Sequence, residues 1–392
     1  MVSNKVEDSV RRIIERVKKD GDRAVMVYTR KFDGINVLPA KFRLTRKEIT
    51  ASVKLVSPEY LSALYKAVQN VWKYHLSQLR VGVVFKRKGV VIEQKFVPIE
   101  AVGLYVPGGL YSYPSTVLMT AIPAKVAGVD KVVMVSPSKK LTPEVIAAAY
   151  VCGVDEIYRI GGVQAIAALA YGTSTIPKVD KIVGPGNVFV AAAKKVVYGD
   201  VGIDMLAGPS EVVVYTDYAD DKTVECIAYD LLAQAEHDPA ARAVVIATNK
   251  KVGKKIATLI PKNNMRQVKI VYAGSINSAA GIINKFAPEH LLILSKSSGE
   301  LVSKIRNAGA VFVGRYNTVA MGDYVAGPSH VLPTGGSARF DAGLSVDSFV
   351  KRIAIIKYEK PGFISDGKIA AVLAGIEGMR YHKKSVEVRF EE

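Results

Sequence analysis

From about residue 100 onward, short apolar runs rich in β-branched residues alternate with Ala-rich stretches of helical length. This alternation constrains the fold more than any other feature. Val102–Gly109 reads as a strand ending in a turn, Thr116–Val129 as a helix, and Lys131–Pro137 as a buried strand. Pro143–Cys152 reads as a helix and Asp155–Gly162 as a strand, followed by an Ala-rich helix from Val163. Lys181–Val183 is a strand entering the turn Gly184-Pro-Gly-Asn187, with another helix behind it. The pattern recurs after Val212–Tyr215: a helix over Lys222–His237, a strand over Ala243–Thr248, and a helix starting near Val252. Strands separated by helices of this length return in the same direction, so each unit is a parallel sheet with helical crossovers. Such sheets place ligands where a strand ends and a Gly- or Pro-rich turn begins.

The expected fold is therefore α/β, with two Rossmann-like doubly wound units at about 103–211 and 212–343. Ahead of them, apolar residues at Val10, Ile13, Ile14, Val17 and Val25 have helical spacing over residues 5–30, and Pro58–Leu79 forms a second helical segment. Val83–Pro98 reads as paired strands around a Lys88-Gly89 turn. The N-terminal helices are expected to pack on the second unit. The domains are then 1–103 with 212–344, an inserted 104–211, and a tail, 345–392. That tail carries a helix over Lys368–Glu377, then Tyr381-His-Lys-Lys, and a terminal strand over Val386–Phe390.

Composition narrows the class. The 392 residues are 49% apolar, too apolar for disorder. No apolar run approaches the ~20 residues that cross a bilayer. The opening residues lack the apolar core of a signal peptide, which makes the cytoplasm the default. Cys152 and Cys226 lie in apolar stretches and read as small buried residues, and with no Cys cluster a thiolate zinc site is excluded. The net charge is +18, of which +11 falls in the first 100 residues. A basic nucleic-acid-binding protein is the reading this suggests. The charges are dispersed, with Lys86-Arg87-Lys88 the densest cluster, and no recognition motif accompanies them, so a lysine-rich solvated surface is preferred.

There are five histidines: His75, His237, His290, His330 and His382. His75 sits on a charged helix and reads as surface. Gln234 and His237 are three apart at a helix end, so they share a face. They serve either as donors to one metal ion or as helix-end caps. Glu289-His290 precedes a buried strand, and an acid beside an imidazole suits proton transfer near neutral pH. Asp323 and His330 share a segment rich in turn-formers and suit metal, substrate or ordinary turn chemistry. Alone, His382 is a solvated tail residue. Gly184–Asn187 and Ala207–Glu211 are turns whose N–H groups can face phosphate, although no G-x-G-x-x-G fingerprint is present.

Taken together, the segments resemble the histidinol dehydrogenase family over nearly the whole chain from Val10. The resemblance is carried by Gly103–Gly109, Tyr113–Met119, Ile160–Ala167, Val179–Asn187, Gly202–Glu211, Gln234–Asp238, Pro288–Leu291 and Gly322–Pro333. It implies oxidation of L-histidinol to L-histidine in two NAD-dependent steps through an aldehyde. It implies one Zn²⁺ per subunit, on Gln234, His237, Asp323 and His382, holding the substrate's imidazole and amine. By the same resemblance, His290 takes the alcohol proton and Glu289 activates water. Ser210, His330 and Glu377 contact substrate, while Tyr105, Gln164 and Asn187 contact NAD. A homodimer is implied, with the tail crossing to the partner so that His382 and Glu377 serve the neighbour's site. Neither membrane nor nucleic acid is an expected partner. Two departures stand out: the family's N-terminal extension is shortened, and Val319 stands where many relatives carry an acid. The second leaves room for another small polar alcohol as substrate.

Overall fold

The computed structural model describes residues 4–108, 111–206 and 208–390. Gly109, expected to end the turn after the first strand, and Ala207, expected to open a second turn, lie outside the described residues. The chain divides into a large unit, residues 1–78 and 99–349, and a small one, residues 79–98 and 350–392.

The large unit begins with four helices: α1 (Asn4–Asp20), α2 (Asp22–Asp33), α3 (Arg46–Val53) and α4 (Pro58–Leu76). The single helix expected over 5–30 is broken at Gly21, whose positive φ of 53° is one that glycine adopts without strain. A capping box starts α3: Thr45 accepts from the Glu48 N–H while Glu48 accepts from that of Thr45.

The first sheet contains β3 (Ala101–Tyr105), β4 (Lys131–Val135), β5 (Glu156–Tyr158), β6 (Lys181–Val183) and β7 (Gly202–Ile203). Its helices are α5 (Pro114–Ala127), α6 (Pro143–Val151), α7 (Gly162–Tyr171) and α8 (Val188–Val197). The second sheet contains β8 (Glu211–Thr216), β9 (Arg242–Ala247), β10 (Val268–Tyr272), β11 (His290–Leu294) and β12 (Ala310–Val313). Its helices are α9 (Asp221–Glu236), α10 (Lys250–Leu259), α11 (Ile276–Phe286), α12 (Ser298–Lys304) and α13 (Val319–Tyr324). The orders are β5-β4-β3-β6-β7 and β10-β9-β8-β11-β12, and every adjacent pair is parallel. Both follow one plan, in which the first strand is central and the order reverses beside it. Every residue of β8 and of β11 is buried, so their side chains fill both faces of the sheet.

The N-terminal helices correct one expectation. Helix α1 packs on α7 and α8, α2 on α7, α3 on α6, and α4 on α5, so they cover the first sheet. Val10, Ile14 and Val17 share a core with Ile166, Leu169 and Val197. His75 is not a surface group: it is fully buried, with Nδ1 2.8 Å from Gln78 Oε1. Cys152 is buried, whereas Cys226 is only half-buried.

In the small unit, β1 (Val83–Arg87), β2 (Val90–Pro98) and β13 (Val350–Tyr358) form an antiparallel sheet with β2 central. The helices are α14 (Lys360–Ile376) and α15 (Arg380–Glu387). The strand expected over Val386–Phe390 is absent. Those residues end α15 and continue as a 3₁₀ turn, and the Phe390 ring packs at a tilt against Phe363 of α14. That ring contact satisfies the apolar residues without a strand partner.

Leu292, fully buried in β11, tests the second core. Leu292→Ala is expected to lower unfolding free energy by about 2–5 kcal/mol in urea titration. A loss under about 1 kcal/mol would place the load elsewhere.

Candidate active site

The site is built at the amino end of the second sheet. Strands β8 and β11 are parallel neighbours, and Glu289 and His290 stand where β11 begins. The Glu211 main chain binds both. Its N–H donates to Glu289 Oε2 at 2.8 Å, and its carbonyl lies 3.3 Å from His290 Nδ1. A carbonyl can only accept, so Nδ1 carries the proton and Nε2 keeps its lone pair. His290 Nε2 is buried without a hydrogen-bond partner, 3.9 Å from Asp323 Oδ1. That separation is too long for a hydrogen bond.

Asp323 lies on α13, a short helix where the sequence suggested a turn. The helix approaches β12 closely at Gly322, where an added Cβ would stand 2.6 Å from the Phe312 ring. The same ring packs against His290, with centroids 6.0 Å apart. His330 places Nδ1 3.2 Å from the Asp323 carbonyl, which fixes its proton on Nδ1 in the same way. Gln234 lies in the last turn of α9 and His237 at its C-cap. Helix α9 runs back against β8, so its C-terminus reaches the sheet's amino end. Gln234 is buried, and its amide nitrogen has no partner.

Burial governs the protonation states. It pushes Glu289 up to about 8, helped by the carboxyls of Asp323 and Glu211 and opposed by the Glu211 N–H and the Ser210 hydroxyl. Burial raises Asp323 to about 7. It holds His290 down to about 3 and His330 down to about 4, with nearby His237 contributing to both. Near neutral pH both imidazoles are uncharged bases beside a carboxyl with no cation.

These features bear on a metal. The Asp323 carboxyl with no cation beside it, the His237 imidazole, which burial favours in its neutral form, and the carbonyl oxygen of the buried Gln234 amide are a donor set suited to a divalent cation of the zinc type. Among the described residues, no three His, Cys, Asp or Glu side chains converge into a metal cage. The large unit supplies His237, Asp323 and the Gln234 amide, and His382 is an exposed residue of α15 in the small unit. Glu377 caps α14 in the same unit.

The residues expected to contact cofactor gather at the opposite kind of edge, the carboxyl end of the first sheet. Tyr105 ends β3, and its hydroxyl accepts from the Gly162 N–H at 3.2 Å. Gln164 is fully buried in the first turn of α7, with both amide atoms unpartnered. Asn187 caps α8, accepting from the N–H groups of Phe189 and Val190. Tyr113 stands at the start of α5. Its phenol, raised chiefly by burial, feels both Asp238 and Tyr324. Sequence reasoning missed the Glu211 main-chain clamp, because a backbone group leaves no residue-type signal. Val319 is buried and packs in the core with Val224 and Leu292, so that position supplies packing rather than charge.

The histidinol dehydrogenase family model matches residues 1–390. The chain belongs to the histidinol dehydrogenase family. It is 44% identical to the histidinol dehydrogenase of Listeria monocytogenes serovar 1/2a, over 100% of this chain and 94% of that protein. It is likewise 44% identical to that of Carboxydothermus hydrogenoformans, over 99% and 95%. The crystal structure of histidinol dehydrogenase from Elizabethkingia anophelis superposes with a TM-score of 0.93 at 34% identity, covering 100% of this chain and 93% of that one. A betaine aldehyde dehydrogenase from Staphylococcus aureus shares the fold alone, with a TM-score of 0.53 at 11% identity. Family membership makes the chain an NAD-dependent oxidoreductase. None of its helices is long and apolar enough to cross a membrane, among the described residues.

The contact of α13 with Phe312 yields a paired prediction. Gly322→Ala should lower turnover by pressing the ring toward His290, and adding Phe312→Leu should restore it. Loss of activity that the second change does not relieve would mean that Gly322 acts by another route.

Proposed function

We propose that this chain oxidises L-histidinol to L-histidine through the aldehyde, using two NAD and one Zn²⁺ per subunit. The observation that carries the reading is His290. Its Nδ1 is bound to the Glu211 carbonyl, and its unpartnered Nε2 faces Asp323 inside a buried site. A proton acceptor fixed in orientation and withdrawn from water is what alcohol oxidation needs.

When bound, zinc would orient the substrate's imidazole and amine, and NAD would accept the hydride at each step. Gln234, His237, Asp323 and His382 would hold the metal. His290 Nε2 accepts the alcohol proton in the first oxidation. Glu289, beside the Ser210 hydroxyl and the Glu211 N–H, accepts in its ionised form a proton from the water that attacks the aldehyde, so this step strengthens as pH rises toward about 8. The clamp keeps the two groups apart in task, with one residue for each proton. Ser210, His330 and Glu377 contact the substrate, and Tyr105, Gln164 and Asn187 contact NAD. Residues 212–344 carry most metal and proton-transfer residues, and residues 104–211 most cofactor contacts. The tail, 345–392, crosses within a homodimer to bring His382 and Glu377 to the neighbour's site. The enzyme works in the cytoplasm.

Assayed with histidinol, the enzyme should form two NADH per histidine. Activity should fall on strong chelation and return with Zn²⁺. Full activity in a verified metal-free sample would remove zinc from the account. His290→Ala should lower kcat by about 10²–10⁴, the usual range for a positioned proton-transfer group. An unchanged kcat would take His290 out of the mechanism. A panel of other small polar alcohols, followed by NADH absorbance, should give kcat/KM below that for histidinol. A better substrate in that panel would redirect the assignment.

A further inference from the structure

Beneath the Gly184–Asn187 turn lies an ion pair that the proposed chemistry does not use. Lys194 on α8 and Asp204 just beyond β7 are paired, with side chains only 2% and 1% exposed. Burying two charges costs desolvation free energy that good geometry and further hydrogen bonds must offset. Where those bonds end therefore shows what the pair holds. Lys194 Nζ donates to the Gly184 carbonyl at 3.0 Å. Asp204 Oδ2 accepts from the Gly184 N–H at 2.7 Å, and Oδ1 accepts from the Met205 N–H at 2.7 Å.

Both main-chain polar groups of Gly184 thus end on the pair. The residue needs such support. Its φ of +114° is a conformation that L side chains rarely adopt, and an added Cβ would stand 2.2 Å from the Tyr105 carbonyl oxygen. The turn is pressed directly onto the end of β3 and emerges at Asn187, the N-cap of α8. Lys194 sits on that same helix. The pair therefore fixes the turn between Tyr105 and Asn187, two residues assigned to the cofactor.

We propose that Lys194 and Asp204 are a positioning pair for the dinucleotide. Sealed from solvent, they touch neither cofactor nor substrate, and act through the Gly184 main chain to set where Asn187 stands relative to Tyr105. The proposal rests on the reading of Tyr105, Gln164 and Asn187 as NAD contacts.

The test uses the full-length, zinc-loaded enzyme. NAD dissociation constants come from calorimetry, with KM values and thermal midpoints measured alongside. In the double variant Lys194→Met/Asp204→Leu, apolar groups replace the pair without stranding either charge. The Gly184 and Met205 main-chain groups lose these partners, so a lower thermal midpoint is expected, and NAD binding is measured well below it. NAD should bind at least about tenfold more weakly, and histidinol KM should change by less than about threefold. A double variant that binds NAD as the unmodified enzyme does would overturn the proposal, because the pair would then serve stability alone. Should the double variant fail to fold, Lys194→Arg decides: NAD binding weakened at an unchanged thermal midpoint supports the proposal, and unchanged binding overturns it. Asn187→Ala is the control on the underlying reading. If it binds NAD normally, the turn is not the cofactor site. If it binds weakly while the double variant binds normally, the reading stands and the positioning role falls.

Discussion

Two hydrogen bonds from one main-chain unit organise the site. Glu211 opens the central strand of the second sheet, where every residue is buried and the backbone is bonded on both sides. Its N–H holds Glu289 and its carbonyl holds His290. A backbone group anchored in a packed sheet has almost no freedom to reorganise, so the two side chains inherit that rigidity. The tautomer of His290 and the separation of the proposed proton tasks follow from this anchor.

The two sheets share one strand order but use opposite ends. In the first, the residues read as cofactor contacts lie at the carboxyl end, next to the reversal of strand order, as expected for doubly wound sheets. In the second, Glu289 and His290 lie at the amino end, where the return of α9 also delivers Gln234 and His237. Tyr113, at the first edge, lies within electrostatic reach of Asp238 and Tyr324. A dehydrogenase must bring a dinucleotide and a reacting carbon together, and pairing unlike edges of two sheets is one way to build that meeting place.

Much of this was legible in the chain. The alternation from residue 100 located both parallel sheets, because buried strands must be apolar on both faces. Edge strands were harder to see. β10 carries Lys269 and Tyr272 among its five residues and only Val268 is buried, and β12 has no buried residue. Placement of the N-terminal helices was not legible, since amphipathic spacing says that a helix packs and not on what. His75 appeared solvated from its charged neighbours, yet α4 turns it inward onto Gln78. Val386–Phe390 has strand composition, and ring packing on α14 won over it. Single histidines said little, and the long blocks around them carried the assignment. The clamp by Glu211 was invisible, because it belongs to the backbone.

The central claim is that the Glu211 carbonyl fixes the proton of His290 on Nδ1, leaving Nε2 as the proton acceptor. ¹⁵N NMR of histidine-labelled enzyme tests it directly, since a chain with five histidines permits assignment by single substitution. The account predicts that His290 at pH 7 is neutral, protonated at Nδ1 and bare at Nε2. A His290 resonance pair showing the Nε2–H tautomer would contradict it.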